Sequence, residues 1–100
     1  PVTVDQINAE IRKYFGVRTA DLKSGKRRRT IALPRQVGMS LAGKHTRHSL
    51  EEIGGYFGGR DHTTVLHAIR TIEGRSETDE TLSASVVALE TRLRVAGRDR

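Results

Sequence analysis

The chain has 100 residues, a formal net charge of +6 and a sequence pI of about 10.5, a balance that favours polyanionic partners, nucleic acid before an acidic membrane surface. One small domain fits this length, and with 4% aromatic residues its core is expected to be aliphatic, built from Val, Ile, Leu and Ala. The absence of cysteine excludes disulfides and thiolate metal sites, and no apolar run approaches the ~20 residues that span a bilayer.

Thr3 followed by Gln6 fits a capping box, in which each side chain satisfies the other residue's backbone donor. Ile7, Ile11, Tyr14 and Phe15 keep helical spacing and Gly16 suits the position just past a helix end, so a first helix is predicted over residues 4–15. Thr19 is placed to cap a short turn around Ala20 to Lys23. The segment 23–29 then holds five cations around Gly25 and reads as a basic loop, because like charges repel along a helix and glycine weakens one further.

Pro34 suits a helix's first turn, where its missing N–H is not needed. With Leu33, Val37 and Leu41 as an apolar row, the next helix is expected from about Ile31 or Pro34 to Lys44. Ser49 with Glu52 makes a second capping box, ahead of a short helix whose apolar face is Leu50, Ile53 and Phe57 and which Gly58 ends. Gly54 falls inside that helix at a cost of about 1 kcal/mol relative to alanine, which close approach of another helix would explain.

Gly58 and Gly59 can make a tight turn, and Asp61 is a good N-cap for a helix from His62 to about Gly74. Val65, Ala68, Ile69 and Ile72 mark its buried stripe, and His62, Thr63, His67 and Arg70 fall largely outside it. The last helix is expected over 79–96, opening near Thr78 or Asp79. Its row Leu82, Val86, Leu89, Leu93 and Ala96 has the spacing of a coiled-coil seam and equally of a stripe packed on its own domain. Residues 97–100 should fray. Nothing reads as strand. The expected fold is a single all-α domain over 1–100, with about six helices in a Trp-repressor-like arrangement and a helix-turn-helix at 49–74.

That motif sends the N-terminal end of its second helix into the major groove. Threonine offers a hydroxyl to base edges and a methyl to thymine, while histidine and aspartate can bond purine and cytosine edges. Asp61 has either a capping role, a cytosine contact, or both. The helix N-terminus and Arg60 favour phosphate. The loop Lys26-Arg27-Arg28-Arg29 has the composition of an arm that enters a narrow minor groove, with Arg35 and Gln36 placed to hold phosphate beyond it. His45 with His48 and His62 with His67 lack metal-site spacing, no His-Glu-x-x-His or Gly-x-x-x-x-Gly-Lys-Ser/Thr pattern occurs, and consecutive Asp61, His62 and Thr63 cannot converge as a catalytic group. Neither catalysis nor a metal is expected.

Ser49-Leu50-Glu51-Glu52-Ile53-Gly54 and the run from Phe57 through Arg60-Asp61-His62-Thr63-Thr64-Val65 to Ala68 closely resemble the signature of the DnaA family of bacterial replication initiators, in its C-terminal DNA-binding domain. Ala20-Asp21-Leu22, Arg27, Pro34-Arg35-Gln36 and Leu41-Ala42 extend the likeness, which covers most of Val4 to Glu73. The resemblance implies binding to origin repeats of TTATCCACA type, the DnaA boxes. It implies major-groove contacts from Asp61, His62, Thr63 and Thr64, and a minor-groove contact from Arg27. Arg35, Gln36, Leu50 and Arg60 would hold the backbone or flank the bases, and Arg29, Lys44 and Ser49 complete the expected DNA-binding set. Gly43 stands where the family often has lysine or arginine, so that contact is lost or shifted to Lys44, and Glu51 stands where some members have proline.

Pro1 in place of Met suggests a piece of a longer protein. The family's ATP-binding module is not in this sequence, so no cofactor is expected. Double-stranded DNA is the expected partner, beside the initiator's other domains and, further off, acidic phospholipids or regulatory proteins. With no secretory signal visible, the expected location is cytoplasmic, at the nucleoid. The rival readings are a helix-turn-helix transcriptional regulator and a basic module for protein or membrane surfaces.

Overall fold

Helices start where the chain supplies acceptors for their first amides. Thr3 Oγ1 accepts from the Gln6 N–H at 3.1 Å while Gln6 Oε1 accepts from the Thr3 N–H at 2.9 Å, and Ser49 and Glu52 repeat the exchange at 3.1 and 2.8 Å. Asp61 Oδ1 accepts from Thr64 N at 2.8 Å, and Asp79 Oδ1 from Leu82 N at 3.0 Å. The computed structural model describes residues 1–98, with six helices and no strand among them. They are α1 Val4–Phe15, α2 Thr19–Lys23, α3 Arg29–His45, α4 Leu50–Tyr56, α5 His62–Ser76 and α6 Glu80–Arg98. Gly16 closes α1 in the left-handed conformation, φ 68°.

Several boundaries differ from the sequence expectation, and α5 runs on to Ser76. In α2, Thr19 is the first helical residue, and the cap comes instead from Asp21 Oδ2, which accepts the Arg18 N–H at 3.0 Å. Helix α3 begins at Arg29, so the basic loop shrinks to 24–28 and Pro34 lies in the second turn. Its start has no capping side chain, and its first bonds run from the Ile31 and Ala32 N–H to the Arg28 carbonyl at 2.9 and 2.8 Å. Ile31, Arg35, Gly38 and Ala42 form one buried row, and that row extends the helix a turn ahead of the proline. The last helix continues to Arg98; of the four residues expected to fray, Asp99 and Arg100 lie outside the described residues.

Helix α3 is the hub, packed against α1, α2, α4 and α5. Ile7 and Ile11 of α1, Val37 and Leu41 of α3, Ile53 of α4 and Val65 of α5 are all buried. The core is aliphatic apart from Phe57 and Met39. Phe57 is the bulkiest of the fully buried side chains, and its ring fits over Gly38, where a Cβ would come within 2.9 Å of it. The α6 stripe turns inward: Leu82, Leu89 and Leu93 are buried and Val86 packs on the core, with α1 and α5 as neighbours. Each such leucine contributes roughly 1.5–3 kcal/mol. Tyr14 Oη to Ser85 Oγ at 3.1 Å, and Glu90 Oε2 at 2.9 Å from Lys44 Nζ and 2.6 Å from His45 Nε2, fasten α6 to α1 and α3.

The capping carboxylates give the fold an acid limit. Backbone N–H bonds from Arg18, Ser49, Thr64 and Leu82 hold Asp21, Glu52, Asp61 and Asp79 below their ordinary values of 3.8 (Asp) and 4.5 (Glu). For Glu90 burial acts the other way, and bonds from Lys44 and His45 outweigh it. A carboxylate with a lowered folded pKa contributes stability that is complete above its unfolded value and is lost as pH falls through the folded one. The thermal midpoint should therefore fall steeply below about pH 4, and circular-dichroism melts down an acid series would show it.

Candidate nucleic-acid interface

Helices α4 and α5 are joined by a turn built around one carbonyl. Gly54 O accepts from Phe57, Gly59 and Arg60 N–H at 3.1, 3.1 and 3.0 Å. This folds the chain back onto α4 so closely that a Cβ on Gly54 would lie 1.9 Å from the Arg60 carbonyl oxygen. The glycine thus accommodates the turn's own backbone, where the sequence suggested a neighbouring helix. Gly58 and Gly59 both take positive φ, 85° and 80°, as the turn requires. Asp61 follows in extended conformation and caps α5.

The cap leaves His62, Thr63 and Thr64 exposed at the entrance of α5, with Val65, Ala68 and Ile72 buried behind them. His67 and Arg70, also exposed, continue the polar side of the helix. Ser49 is exposed at the start of α4, its hydroxyl accepting the Glu52 N–H, and Leu50 is half-buried against the core.

The basic loop lies against the helix-turn-helix. A Cβ on Gly58 would lie 2.1 Å from the Lys23 carbonyl oxygen, and Arg60 Nη2 donates to the Ser24 carbonyl. Lys26, Arg27, Arg28 and Arg29 are exposed there. Candidate arm and candidate recognition helix, more than thirty residues apart in sequence, therefore meet at the turn.

Other expected DNA contacts have occupations of their own. Arg60 is half-buried and also donates from Nε to the Phe57 carbonyl at 3.1 Å. Arg35 is buried, its Nη2 within 3.0–3.3 Å of the Lys26 and Asp21 carbonyls and of Ser24 Oγ. Burial and then the nearby Arg60 lower the Arg35 pKa, and Asp21 opposes them. The sequence reading took Leu33, Val37 and Leu41 as the apolar row and gave Arg35 to phosphate; in the structure Arg35 lies on a second buried row of α3, with Ile31, Gly38 and Ala42. Gln36, one residue on, is partly exposed. Lys44 pairs with Glu90, and Gly43 packs so near Ile69 that a Cβ would lie 2.7 Å from its Cδ1. Among the described residues no helix is long and apolar enough to cross a membrane, and no three His, Cys, Asp or Glu side chains cluster as a metal site.

A capped helix presenting short polar side chains, set by a tight turn behind a shorter helix and flanked by a basic loop, defines a helix-turn-helix DNA-binding domain. The bacterial dnaA protein helix-turn-helix family matches residues 4–72. The chain belongs to that family, a non-catalytic DNA-binding module of bacterial replication initiation.

Proposed function

We propose that this chain recognises DnaA boxes in double-stranded origin DNA as the DNA-binding domain of a replication initiator. The observation that carries this reading is the exposed, capped entrance of α5 lying beside the basic loop. His62, Thr63 and Thr64 read base edges in the major groove, and Asp61, whose Oδ1 holds the cap, offers Oδ2 to a cytosine amino group. Arg27 enters the neighbouring minor groove, and Arg29, Gln36, Lys44, Ser49 and Leu50 meet or flank the backbone. Arg35 and Arg60 serve the site from inside the protein. No cofactor takes part, and binding of this kind places the protein at the nucleoid with the initiator's other domains.

Fluorescence anisotropy against a TTATCCACA duplex and a scrambled duplex, at two salt concentrations, tests this. Phosphate contacts bind both duplexes alike and weaken steeply with salt. A preference for the box that persists at the higher salt is the expected result. Equal binding that disappears with salt would reduce the site to a basic surface.

A further inference from the structure

The basic loop carries concentrated like charge, yet its backbone is tied down at successive points. Arg35 Nη2 reaches the Asp21 carbonyl at 3.1 Å, Ser24 Oγ at 3.3 Å and the Lys26 carbonyl at 3.0 Å. Ser24 Oγ donates to the Asp21 carbonyl at 3.0 Å and accepts the Lys26 N–H at 3.4 Å. From the other side Arg60 donates to the Ser24 carbonyl, and Gly58 lets the turn rest on the Lys23 carbonyl. Two guanidiniums, one from the hub helix and one from the helix-turn-helix turn, thus hold the strand of backbone that ends immediately before Arg27. Arg27 itself stays exposed.

We propose that Arg35 is a positioning residue for DNA recognition: it touches no DNA, and fixes the backbone from which Arg27 reaches the minor groove at a set offset from the α5 entrance. The proposal rests on the DNA-binding reading above. A cationic loop left to itself would be spread by its own charge, and ordering it on DNA would cost conformational entropy. Arg35 removes that cost in advance: its Nη2 alone gathers the Asp21 and Lys26 carbonyls and the Ser24 hydroxyl, while its Nε is buried without a partner among the described residues, and the shorter lysine side chain would not bring its ammonium to the same point. Ser24 is the small hydroxyl that lets both guanidiniums share one turn of chain.

The test is a double-mutant cycle on the full chain, measuring affinity for the box and for a duplex whose A·T pairs beneath the arm are replaced by G·C. The variants are Arg27→Ala, Arg35→Lys, Ser24→Ala, and each of the last two combined with Arg27→Ala. Arg35→Lys should weaken box binding about tenfold and flatten the discrimination between the two duplexes, and Ser24→Ala should do so more mildly. With Arg27 already replaced, either change should cost less than about twofold. Melting curves separate this from unfolding: a folding defect would lower binding to both duplexes and persist without Arg27, whereas Ser24→Ala buries no charge and keeps the fold. Full additivity of Arg35→Lys with Arg27→Ala, in folded protein, would overturn the proposal while leaving the DNA reading intact. An Arg27→Ala protein that binds the box like wild type would overturn the arm itself.

Discussion

Gly54→Ala should abolish cooperative folding of the helix-turn-helix, while Gly55→Ala, one residue further along the same helix, should be neutral or stabilising. The new methyl at position 54 would stand 1.9 Å from the Arg60 carbonyl oxygen and 2.9 Å from its carbon, and both are backbone atoms that no rotamer change can move. Relief requires the turn to lift off α4. That would break the bonds from Phe57, Gly59 and Arg60 to the Gly54 carbonyl, expose Phe57, and free the basic loop that Arg60 and Gly58 hold. Overpacking joined to loss of a hydrogen-bonded turn falls in the class of substitutions costing more than about 4 kcal/mol, most of the total stability of a small domain. At position 55 a Cβ meets nothing within 4 Å, and alanine favours a helix over glycine by about 0.8–1 kcal/mol. Thermal denaturation followed by circular dichroism checks both. A Gly54→Ala protein melting with the wild type would mean that the turn does not close onto α4 in this way.

This contrast also shows where sequence reading stops. Caps are local, obeying rules that span three or four residues, so Thr3 with Gln6, Ser49 with Glu52 and Asp61 announced α1, α4 and α5 with little error. Gly54 announced that something comes close but not what, since the partner is a carbonyl brought back by a turn whose path depends on two positive-φ glycines. Pro34 was an ambiguous signal: proline is tolerated in a helix's first turn, which left the start open between Ile31 and Pro34, and the helix begins at Arg29 with Ile31 buried, carrying the proline in its second turn despite one missing hydrogen bond. For the site, exposure of His62 and Thr63, and of His67 and Arg70 beyond them, followed from the apolar stripe behind them. The roles of Arg35 and Arg60 did not follow from residue type, because arginine serves a phosphate and a cluster of carbonyls equally well. Only the buried row on α3 and the contact between loop and turn distinguish the two uses.

Replacing His62 or Thr63 by alanine should lower affinity for the box by about 1–3 kcal/mol, roughly 5- to 150-fold, without a matching loss on scrambled DNA. Both side chains are exposed, and neither supplies the α5 cap, which runs from Asp61 Oδ1 to the Thr64 amide. Stability should therefore stay within about 0.5 kcal/mol of wild type, so a binding loss cannot be attributed to unfolding. Base-edge contacts carry no net charge transfer to phosphate, which leaves the slope of log affinity against log salt unchanged. A loop cation provides the opposite signature. Lys26→Ala should weaken binding to both duplexes alike and reduce that slope by about one, as a released phosphate contact does. The pair of outcomes separates reading from holding on one molecule: specificity lost at constant slope at the entrance of α5, slope lost at constant specificity at Lys26. If His62→Ala and Thr63→Ala both bound the box as wild type does, the entrance of α5 would not be the reading head, and the choice between sequences would have to lie with the loop and the shape of the DNA beneath it.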